Sequence, residues 1–397
     1  MRVLVIGGGV AGPAVALAAA NLGMDVTVLE RRAVANRHEG SWITVAPNGL
    51  DALDALGVLD RVRSVGHPSR LNRLFGATGR HLGDVALGTP LDDGSVALTM
   101  KRSALAVELV DAARAVGARV RLGARVVTTA DHGNEVEATL EDGTTLRADV
   151  LVGADGVHSR VRRALDPAAP PARYVGLTNF GGLSTSSPVA GELEPEAWHF
   201  VFGRRSFFGA HPLPTGDVVW FVNVPRGEIS AAERAVTTGD QWLSWLADLV
   251  ADDAGPASRL VADGILELAG DNTYDLPHVP TWWRGSTVIV GDAAHAPSPS
   301  SGQGAAIALE DAVVLARALG RHGRAGLPAY EQARRTRVEA VVRAGARSSS
   351  AKIPGRVGRV VQEAALRAVF GSGLAARSTA ALTAHRLGPA PVDVRRD

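Results

Sequence analysis

The stretch that decides the fold lies near the amino terminus and reads Val3-Leu4-Val5-Ile6-Gly7-Gly8-Gly9-Val10-Ala11-Gly12. The apolar run predicts a buried strand, the glycines predict a tight turn, and the Ala-rich residues up to Gly23 predict a helix. Residues 26–29 then read Val-Thr-Val-Leu and end on Glu30, which predicts a second, parallel strand closed by a carboxylate. This order of strand, turn, helix, strand and acid is typical of a dinucleotide-binding unit.

Each part of this motif has a physical task. Gly7 permits the turn, Gly9 lets a pyrophosphate approach the backbone, and Gly12 lets the helix pack close to the strand. The positive start of the helix attracts the pyrophosphate, and Glu30 can accept the hydroxyls of an adenosine ribose. We therefore expect the cofactor to be bound by Gly7, Gly9, Val10, Ala11, Gly12, Glu30 and Arg31.

The uncharged residues 3–24 allow two other interpretations, a secretory signal peptide or a membrane span. Glycines and Pro13 interrupt the apolar run, and the strand at residues 26–29 needs this segment as its partner. We therefore favour the folded unit and expect no membrane partner.

Composition limits the classes of function. The 42 basic and 41 acidic side chains nearly cancel, which argues against a nucleic-acid partner. The chain has no cysteine, so thiolate metal sites are excluded and any redox chemistry must come from a bound cofactor. This composition fits a reducing cytoplasm. His199 and His211 lack partners at metal-ligand spacing, and we expect no metal.

The rest of the pattern predicts two interleaved lobes. Strands at residues 118–122, 150–152 and 288–290 extend the first sheet, and the turn at Asp142-Gly143 indicates a small antiparallel meander. Alternating, aromatic-rich stretches after residue 170 predict a second, mixed sheet. We assign the cofactor lobe to residues 1–68, 99–169 and 279–351, the substrate lobe to residues 69–98 and 170–278, and a C-terminal helical tail to residues 352–397.

Two further motifs follow predicted strands of the first sheet. Asp155-Gly156 follows residues 150–152, and Gly291-Asp292 follows residues 288–290. Alone, the first could be a hairpin turn and the second a helix cap. Because all three motifs occur in order, each after a buried strand, they favour one cofactor site at the carboxyl edge of the sheet.

In combination, the three motifs resemble the class A flavoprotein monooxygenases, the para-hydroxybenzoate hydroxylase-like family, over nearly the whole chain. The resemblance implies an α/β fold with a Rossmann-like FAD-binding lobe of the glutathione reductase type, an interleaved mixed β-sheet substrate lobe and C-terminal helices. It implies FAD as cofactor, held non-covalently since no cysteine can form a thioether, and NAD(P)H as co-substrate. Further cofactor-binding positions implied by it are Arg102, Asp155, Gly156, Gly291, Asp292, Gly304 and Ala305.

The resemblance also suggests roles. Arg102, in an Arg-x-x-Leu setting with Leu105, resembles the arginine that contacts the flavin phosphate and ribityl chain. Asp292 resembles the residue at the ribityl chain, whereas Asp155, Gly156 and Arg162 match the pyrophosphate and NAD(P)H region. Arg37, Glu39 and Gly40 match a region near the flavin, but a solvated loop explains them equally well.

Chemistry is expected at Pro299, Gly302, Gln303 and Gly304. Small residues let backbone lie against the flavin ring, and the amides that start the next helix stabilise reduced, anionic flavin. His295 could act as a base, but the resemblance favours a structural role. Apolar walls suit a flat substrate and exclude water. We expect Phe202, Phe208 and Trp220 to line this pocket.

The implied function is an FAD-dependent monooxygenase using NAD(P)H and O2. Through a flavin C4a-hydroperoxide it would hydroxylate or epoxidise an aromatic or polycyclic small molecule, in natural-product tailoring or antibiotic modification. The alternatives are a flavin-dependent reductase or dehydrogenase of the geranylgeranyl reductase type and a non-catalytic flavin- or ligand-binding protein. A cytoplasmic monomer or homodimer is expected.

Overall fold

The computed structural model describes residues 1–34, 36–37, 40–350, 367 and 373–388, without the side chains of residues 347–350 and 374–376. Its strands are β1 Arg2–Ile6, β2 Asp25–Leu29, β3 Trp42–Val45, β4 His67–Ser69, β5 Leu71–Gly76, β6 His81–Ala86, β7 Ala97–Lys101, β8 Arg119–Arg121, β9 Val126–Asp131, β10 Val136–Leu140, β11 Thr145–Ala148, β12 Val150–Gly153, β13 Arg173–Ser184, β14 Ala197–Phe202, β15 Phe207–Pro212, β16 Val218–Pro225, β17 Ile265–Asp275, β18 Trp283–Arg284 and β19 Thr287–Ile289. Its α-helices are α1 Ala11–Asn21, α2 Pro47–Ala55, α3 Leu59–Arg63, α4 Arg102–Ala115, α5 Arg160–Leu165, α6 Ala231–Val236, α7 Gly239–Val250, α8 Ala257–Ala262, α9 Gly304–His322, α10 Leu327–Ser350 and α11 Leu374–Thr383.

The opening motif folds into β1, α1 and β2, at the centre of a six-stranded sheet. The strand order is β18-β19-β12-β1-β2-β8, and all neighbours are parallel except β18 and β19. Both faces are covered, by α1, α4 and α9 and by the antiparallel meander β11-β10-β9. Because a parallel sheet is buried on both sides, its strands are continuous apolar runs, and this is why they could be predicted.

The second lobe is a seven-stranded mixed sheet in the order β17-β13-β16-β15-β14-β5-β6, in which only β14 and β5 are parallel. A three-stranded sheet, β3-β7-β4, lies between the lobes. The chain therefore has the α/β fold with interleaved lobes that the sequence predicts.

The seven-stranded sheet has two different faces. On one, which we call the helix face, α7 and α8 cover a core that includes Phe180 and Leu246. On the other, which we call the cleft face, Trp198 and Phe221 pack against Trp42 of β3. The cleft face therefore looks toward the cofactor lobe.

The prediction that Phe208 and Trp220 line the substrate pocket is wrong. Both lie in the core of the helix face, with exposed fractions of 0% and 1%. The indole nitrogen of Trp220 donates to Ser184 Oγ, and that hydroxyl donates to the Leu260 carbonyl of α8. Strand alternation turns these two rings away from the cofactor lobe. Phe202 does alternate onto the cleft face, where it packs near Leu74 at the end of the strand.

Part of the predicted C-terminal tail is described. Helix α11 lies in it, and Leu382 and Leu387 pack against the core of the cofactor lobe. Arg317 of α9 donates to the carbonyls of Leu387 and Gly388. Residues 352–366, 368–372 and 389–397 lie outside the described residues, as does Glu39. No helix in the described ranges is long and apolar enough to cross a membrane.

Candidate cofactor and active site

The glycine-rich turn after β1 has the geometry of a dinucleotide site. Gly7 has a φ of +115°, and a Cβ there would lie 2.3 Å from the Ala154 carbonyl oxygen. A Cβ on Gly12 would lie 1.9 Å from the Gly7 carbonyl oxygen, whereas no atom would lie within 4 Å of one on Gly9. Gly7 and Gly12 are thus required by packing, and the open space at Gly9 lets a pyrophosphate approach the start of α1.

Glu30 lies beside this turn at the end of β2. Its two carboxylate oxygens accept hydrogen bonds from the Gly8 amide at 2.6 Å and the Arg32 amide at 2.9 Å. These bonds fix the carboxylate while leaving lone pairs for ribose hydroxyls. Arg31 is exposed at the rim of the same turn.

The side chain of the Asp-Gly motif after β12 forms hydrogen bonds within its own loop. The Asp155 carboxylate accepts from the Ser159 hydroxyl and from the Arg160 amide, so it caps the start of α5. Arg162 is 1% exposed and donates to the carbonyls of Val157 and Ala293 at 2.7 and 2.9 Å. Burial lowers the pKa of this guanidinium. Arg162 therefore links the second motif to the third, whereas Asp155 stabilises its own loop. Direct contact of Asp155 or Gly156 with a nucleotide stays a prediction.

Asp292 lies in the short 3₁₀ turn Gly291–Ala293, which follows β19. Asp292 is exposed to solvent. Desolvation by the surrounding protein nevertheless raises the pKa of its carboxyl, while the charges of His295 and Arg102 lower it by less. A carboxyl that is accessible to solvent and yet surrounded by protein atoms lies in a recess of the surface. The charge of Arg102, at the start of α4, also acts on Asp271 of β17. The structure thus brings Arg102 and Asp292 to the same recess.

The segment at which chemistry is expected follows this recess. Pro299–Ser301 forms a 3₁₀ turn, and Gly302 has a left-handed φ of +61° just before α9 begins at Gly304. Pro299 and Gly302 are exposed, and Gly304 and Ala305 are half-buried, so their backbone is accessible. The Gln303 side chain is buried and accepts from Asn48 at 3.0 Å. Only the backbone of Gln303 is thus available to a ligand.

A cluster that the sequence did not reveal lies behind these turns, and we call it the ionic network. Asp311 of α9 accepts from the Gly291 amide at 3.0 Å and is hydrogen-bonded to His295 and Arg334 at 2.5 and 2.8 Å. Glu310 pairs with Arg334 at 2.7 Å and with Arg337 at 2.6 Å. Asn48 donates to Glu310, at 2.7 Å, as well as to Gln303. The network comprises Asn48, His295, Glu310, Asp311, Arg334 and Arg337.

This network fixes the two turns from behind. Burial opposes ionisation of Asp311, but the charges of His295 and Arg334 outweigh it and lower its pKa to about 2. His295 is 3% exposed and bound to Asp311, which supports the structural role over the catalytic one. The only signal in the sequence is the pair Glu310-Asp311 within an otherwise apolar stretch of α9.

The cleft face supplies an apolar wall. Leu183, Phe200 and Phe221 lie between the lobes and are only half-buried. Gly181 is opposite Phe221 in the sheet, and its added Cβ would meet no atom closer than 3.6 Å. Gly181 therefore adds no side chain to the wall beside the Phe221 ring, and atoms of Leu268 and Trp220 lie at ordinary contact distance from it. Sequence reasoning missed this wall because it could not assign the faces of the strands.

A second buried cluster, the hydroxyl network, lies in this wall. Ser69 Oγ is 2.8 Å from His211 Nε2 and 2.7 Å from Thr99 Oγ1. Thr99 is 2.8 Å from Thr44, and the Trp198 indole donates to both threonines, at 3.1 and 2.9 Å. The network comprises Thr44, Ser69, Thr99, Trp198 and His211. His, Asp and Glu side chains form no group that could hold a metal ion anywhere in the described ranges.

A separate cavity of about 420 Å³ lies at the opposite edge of the six-stranded sheet, lined among others by Arg2, Asp25 and Arg119. These residues belong to the amino-terminal ends of β1 and β2 and to β8. Because ligands of open parallel sheets bind at the carboxyl ends of the strands, where the three motifs lie, we place the cofactor there.

Comparison with known proteins agrees with this geometry. Residues 1–345 match the family described as FAD binding domain. The chain is 33% identical over 349 residues to 2-heptyl-3-hydroxy-4(1H)-quinolone synthase of Pseudomonas aeruginosa (strain UCBPP-PA14), which covers 85% of this chain and 86% of that protein. It is 31% identical over 366 residues to the chloroplastic zeaxanthin epoxidase of Nicotiana plumbaginifolia, covering 85% of this chain and 53% of the epoxidase.

The chain therefore spans about half the length of the plant epoxidases it matches. Among solved structures, Klebsiella pneumoniae HpxO complexed with FAD and uric acid is similar with a TM-score of 0.84 and 26% identity, over 98% of both chains. The fold, the dinucleotide turn and these matches lead to one conclusion. The chain belongs to the class A flavoprotein monooxygenases, the FAD-dependent family that resembles para-hydroxybenzoate hydroxylase.

Proposed function

We propose that this protein is an FAD-dependent monooxygenase that uses NAD(P)H and dioxygen to hydroxylate or epoxidise an aromatic or polycyclic small molecule. The observation that carries the proposal is the recess at Asp292, on which the charge of Arg102 acts. The start of α1 lies beside it, since a Cβ on Gly291 would lie 2.9 Å from Ala11, and the charge of Arg102 also reaches Asp271 of the second lobe. When bound, FAD supplies the redox chemistry, taking electrons from the nicotinamide and activating dioxygen. The chain itself supplies binding, orientation and exclusion of water.

The residues present fit such a cofactor. Glu30 would accept the ribose hydroxyls, and the start of α1 at Gly9 would hold the pyrophosphate. Arg102 would neutralise a phosphate, and Asp292 would accept a ribityl hydroxyl. The backbone at residues 302–305 would lie against the ring, where the positive end of α9 favours negative charge.

The cleft face would then hold the substrate. Phe200, Phe221 and Leu183 form a wall that excludes water from the reacting atoms. The names of the relatives support this class of substrate, since one is a quinolone synthase and another a zeaxanthin epoxidase. A role in natural-product tailoring or antibiotic modification is part of the same proposal.

The co-substrate and the setting belong to the proposal as well. The sequence has no second Gly-x-Gly-x-x-Gly motif, so NAD(P)H would dock without a domain of its own. The cysteine-free composition supports a cytoplasmic location. A monomer or homodimer remains the expected assembly.

The first experiment tests the reaction. Purified protein should carry FAD that acid releases, oxidise NADPH faster with substrate, and transfer one atom of ¹⁸O from labelled dioxygen to the product. A saturated product without labelled oxygen would indicate a reductase of the geranylgeranyl reductase type. Bound flavin without NADPH turnover would indicate a non-catalytic binding protein.

The second experiment tests the site. Glu30→Ala and Asp292→Ala should each weaken FAD binding about 10- to 150-fold, as expected when a hydrogen bond to a charged group is lost. Asp25→Ala is the matched control, because Asp25 pairs with exposed Arg119 at the far edge of the sheet. Unchanged flavin affinity in both site variants would contradict the assignment.

A further inference from the structure

The cleft face carries no charged side chain over the strands that form its centre. Register across residues 179–183 of β13 and across β16, β15, β14 and β5 places glycine, asparagine, aliphatic and aromatic residues on this face, together with His211. Leu183, Trp198, Phe200, Phe207 and Phe221 are its larger members. Asp, Glu, Lys and Arg are absent from these positions.

The cations that border the cleft already face carboxylates of the protein. Lys101 of β7 forms an ion pair with Glu267 of β17 at 2.5 Å, with side chains only 12% and 19% exposed. The Trp42 indole donates to the same carboxylate at 3.1 Å. The charge of Arg102 also acts on two carboxyls, Asp292 and Asp271. It lowers the pKa of each, although desolvation raises both pKa values by more. A substrate anion would therefore compete with acids of the protein.

One polar position interrupts this apolar wall. The hydroxyl network ends at Thr44, which is half-buried, while its inner members Ser69, Thr99 and His211 are buried. Burial lowers the pKa of His211 to about 4, so its imidazole is neutral at physiological pH. The wall thus offers a hydroxyl without offering charge.

The hydroxyl network can form a hydrogen bond to a substrate hydroxyl or to a substrate oxo group. Each hydroxyl carries a single proton, so the direction of the hydrogen bonds from His211 to Thr44 depends on which imidazole nitrogen is protonated. In one direction Thr44 has a proton to donate to a ligand. In the other it donates to Thr99 and, because the Trp198 indole occupies one lone pair, it has one lone pair with which to accept. A substrate hydroxyl or oxo group can therefore be bound.

From this arrangement we infer that the substrate is a neutral ring system bearing a hydroxyl or oxo group, with its rings on Phe221 and Leu183 beside Gly181 and its oxygen at Thr44. The inference rests on the proposed function and narrows its substrate class. An apolar ring gains from burial against this wall, whereas a carboxylate placed there would lose its hydration without meeting a Lys or Arg side chain of these strands.

Two probes that differ by one carboxylate test the inference on the FAD-loaded protein. 2-Naphthol and 3-hydroxy-2-naphthoate are titrated at pH 7.5 while the flavin absorbance is followed, and NADPH oxidation is recorded with each. We expect 2-naphthol to bind at least about tenfold more tightly and to stimulate oxidation more strongly. Equal or tighter binding of the naphthoate would overturn the inference.

A variant tests the polar position. Thr44→Val keeps the shape of the side chain and should weaken 2-naphthol binding about 2- to 12-fold while leaving naphthalene binding unchanged. Thr145→Val, on the exposed strand β11, is the matched control and should change neither. Equal effects of Thr44→Val on both probes would refute the contact with the oxygen.

The outcomes separate the two proposals. Failure to bind FAD, or to oxidise NADPH with any probe, would count against the proposed function. FAD binding and NADPH oxidation with a preference for the naphthoate would refute the neutral-substrate inference alone.

Discussion

The protein contains two buried polar networks that differ in charge and in what they adjoin. The ionic network lies behind the Gly291–Ala293 turn, where Asp311 holds the Gly291 amide. The hydroxyl network lies in the apolar wall of the cleft face and is neutral, because burial lowers the pKa of His211 to about 4. The charged network thus fixes the backbone turn behind the cofactor site. The neutral network lies where the wall of the cleft face is apolar.

The difference has an energetic basis. Buried charges are tolerated only when every one is paired and hydrogen-bonded, and Arg334 meets this condition by binding both Glu310 and Asp311. Neutral hydroxyls cost less to bury and need only one partner each. Removing one member should therefore be more damaging in the ionic network than in the hydroxyl network.

The largest expected effect is that of Asp311→Asn. The change keeps the volume but leaves His295 without its carboxylate and Arg334 with Glu310 alone, and removing one partner of a buried ion pair costs roughly 3–5 kcal/mol. Urea unfolding should show this loss of stability. Asp25→Asn, which breaks an exposed pair, should unfold near the wild-type midpoint. If the two variants unfold alike, the ionic network does not stabilise the fold.

A smaller effect is expected from the pH dependence of the hydroxyl network. The folded-state pKa of His211, about 4, lies below the ordinary 6.5, so between these values the unfolded state binds more protons. Stability should be full above about pH 6.5 and fall by roughly 3 kcal/mol at most as the pH drops to 4. His211→Gln should lose this component. Parallel stability curves for wild type and variant would show that His211 is not held neutral.

The smallest effect is expected for Ser69→Ala. It leaves the buried imidazole of His211 without its hydroxyl partner, at a cost of about 1–2 kcal/mol. FAD affinity should not change, since the hydrogen bonds of Ser69 run to Thr99 and His211 and those that fix Gly291 run through Asp311. A fall in FAD affinity as large as that of Asp292→Ala would mean that the two networks are coupled.

Much of the cofactor lobe could be predicted, because its strands and turns depend on residues that are close together in the sequence. A parallel sheet buried on both faces gives uninterrupted apolar strands, and the glycines at the first turn are required by contacts within one strand-turn-helix unit. The order of the three motifs then places Asp292 at the carboxyl edge of the sheet. Arg102 was assigned through the family resemblance, and in the structure its charge acts on Asp292.

In the second lobe, the sequence did not predict which side chains face the cleft. Trp220 and Phe221 are neighbours in β16, yet one lies under α8 and the other lines the cleft. A strand has a period of two, and the register with β13 and β15 decides which set of side chains turns inward. The sequence of β16 alone does not determine that register.

The sequence by itself thus determined the fold class, the dinucleotide turn and the family, since these depend on residue order along short segments. The tertiary structure alone decided which aromatic rings face the cleft and which charges are paired. Asp311 and Arg334 are 23 positions apart, and Ser69 and His211 are 142 apart. Only packing of the folded chain brings such pairs together, because each hydrogen bond depends on the docking of two separate elements.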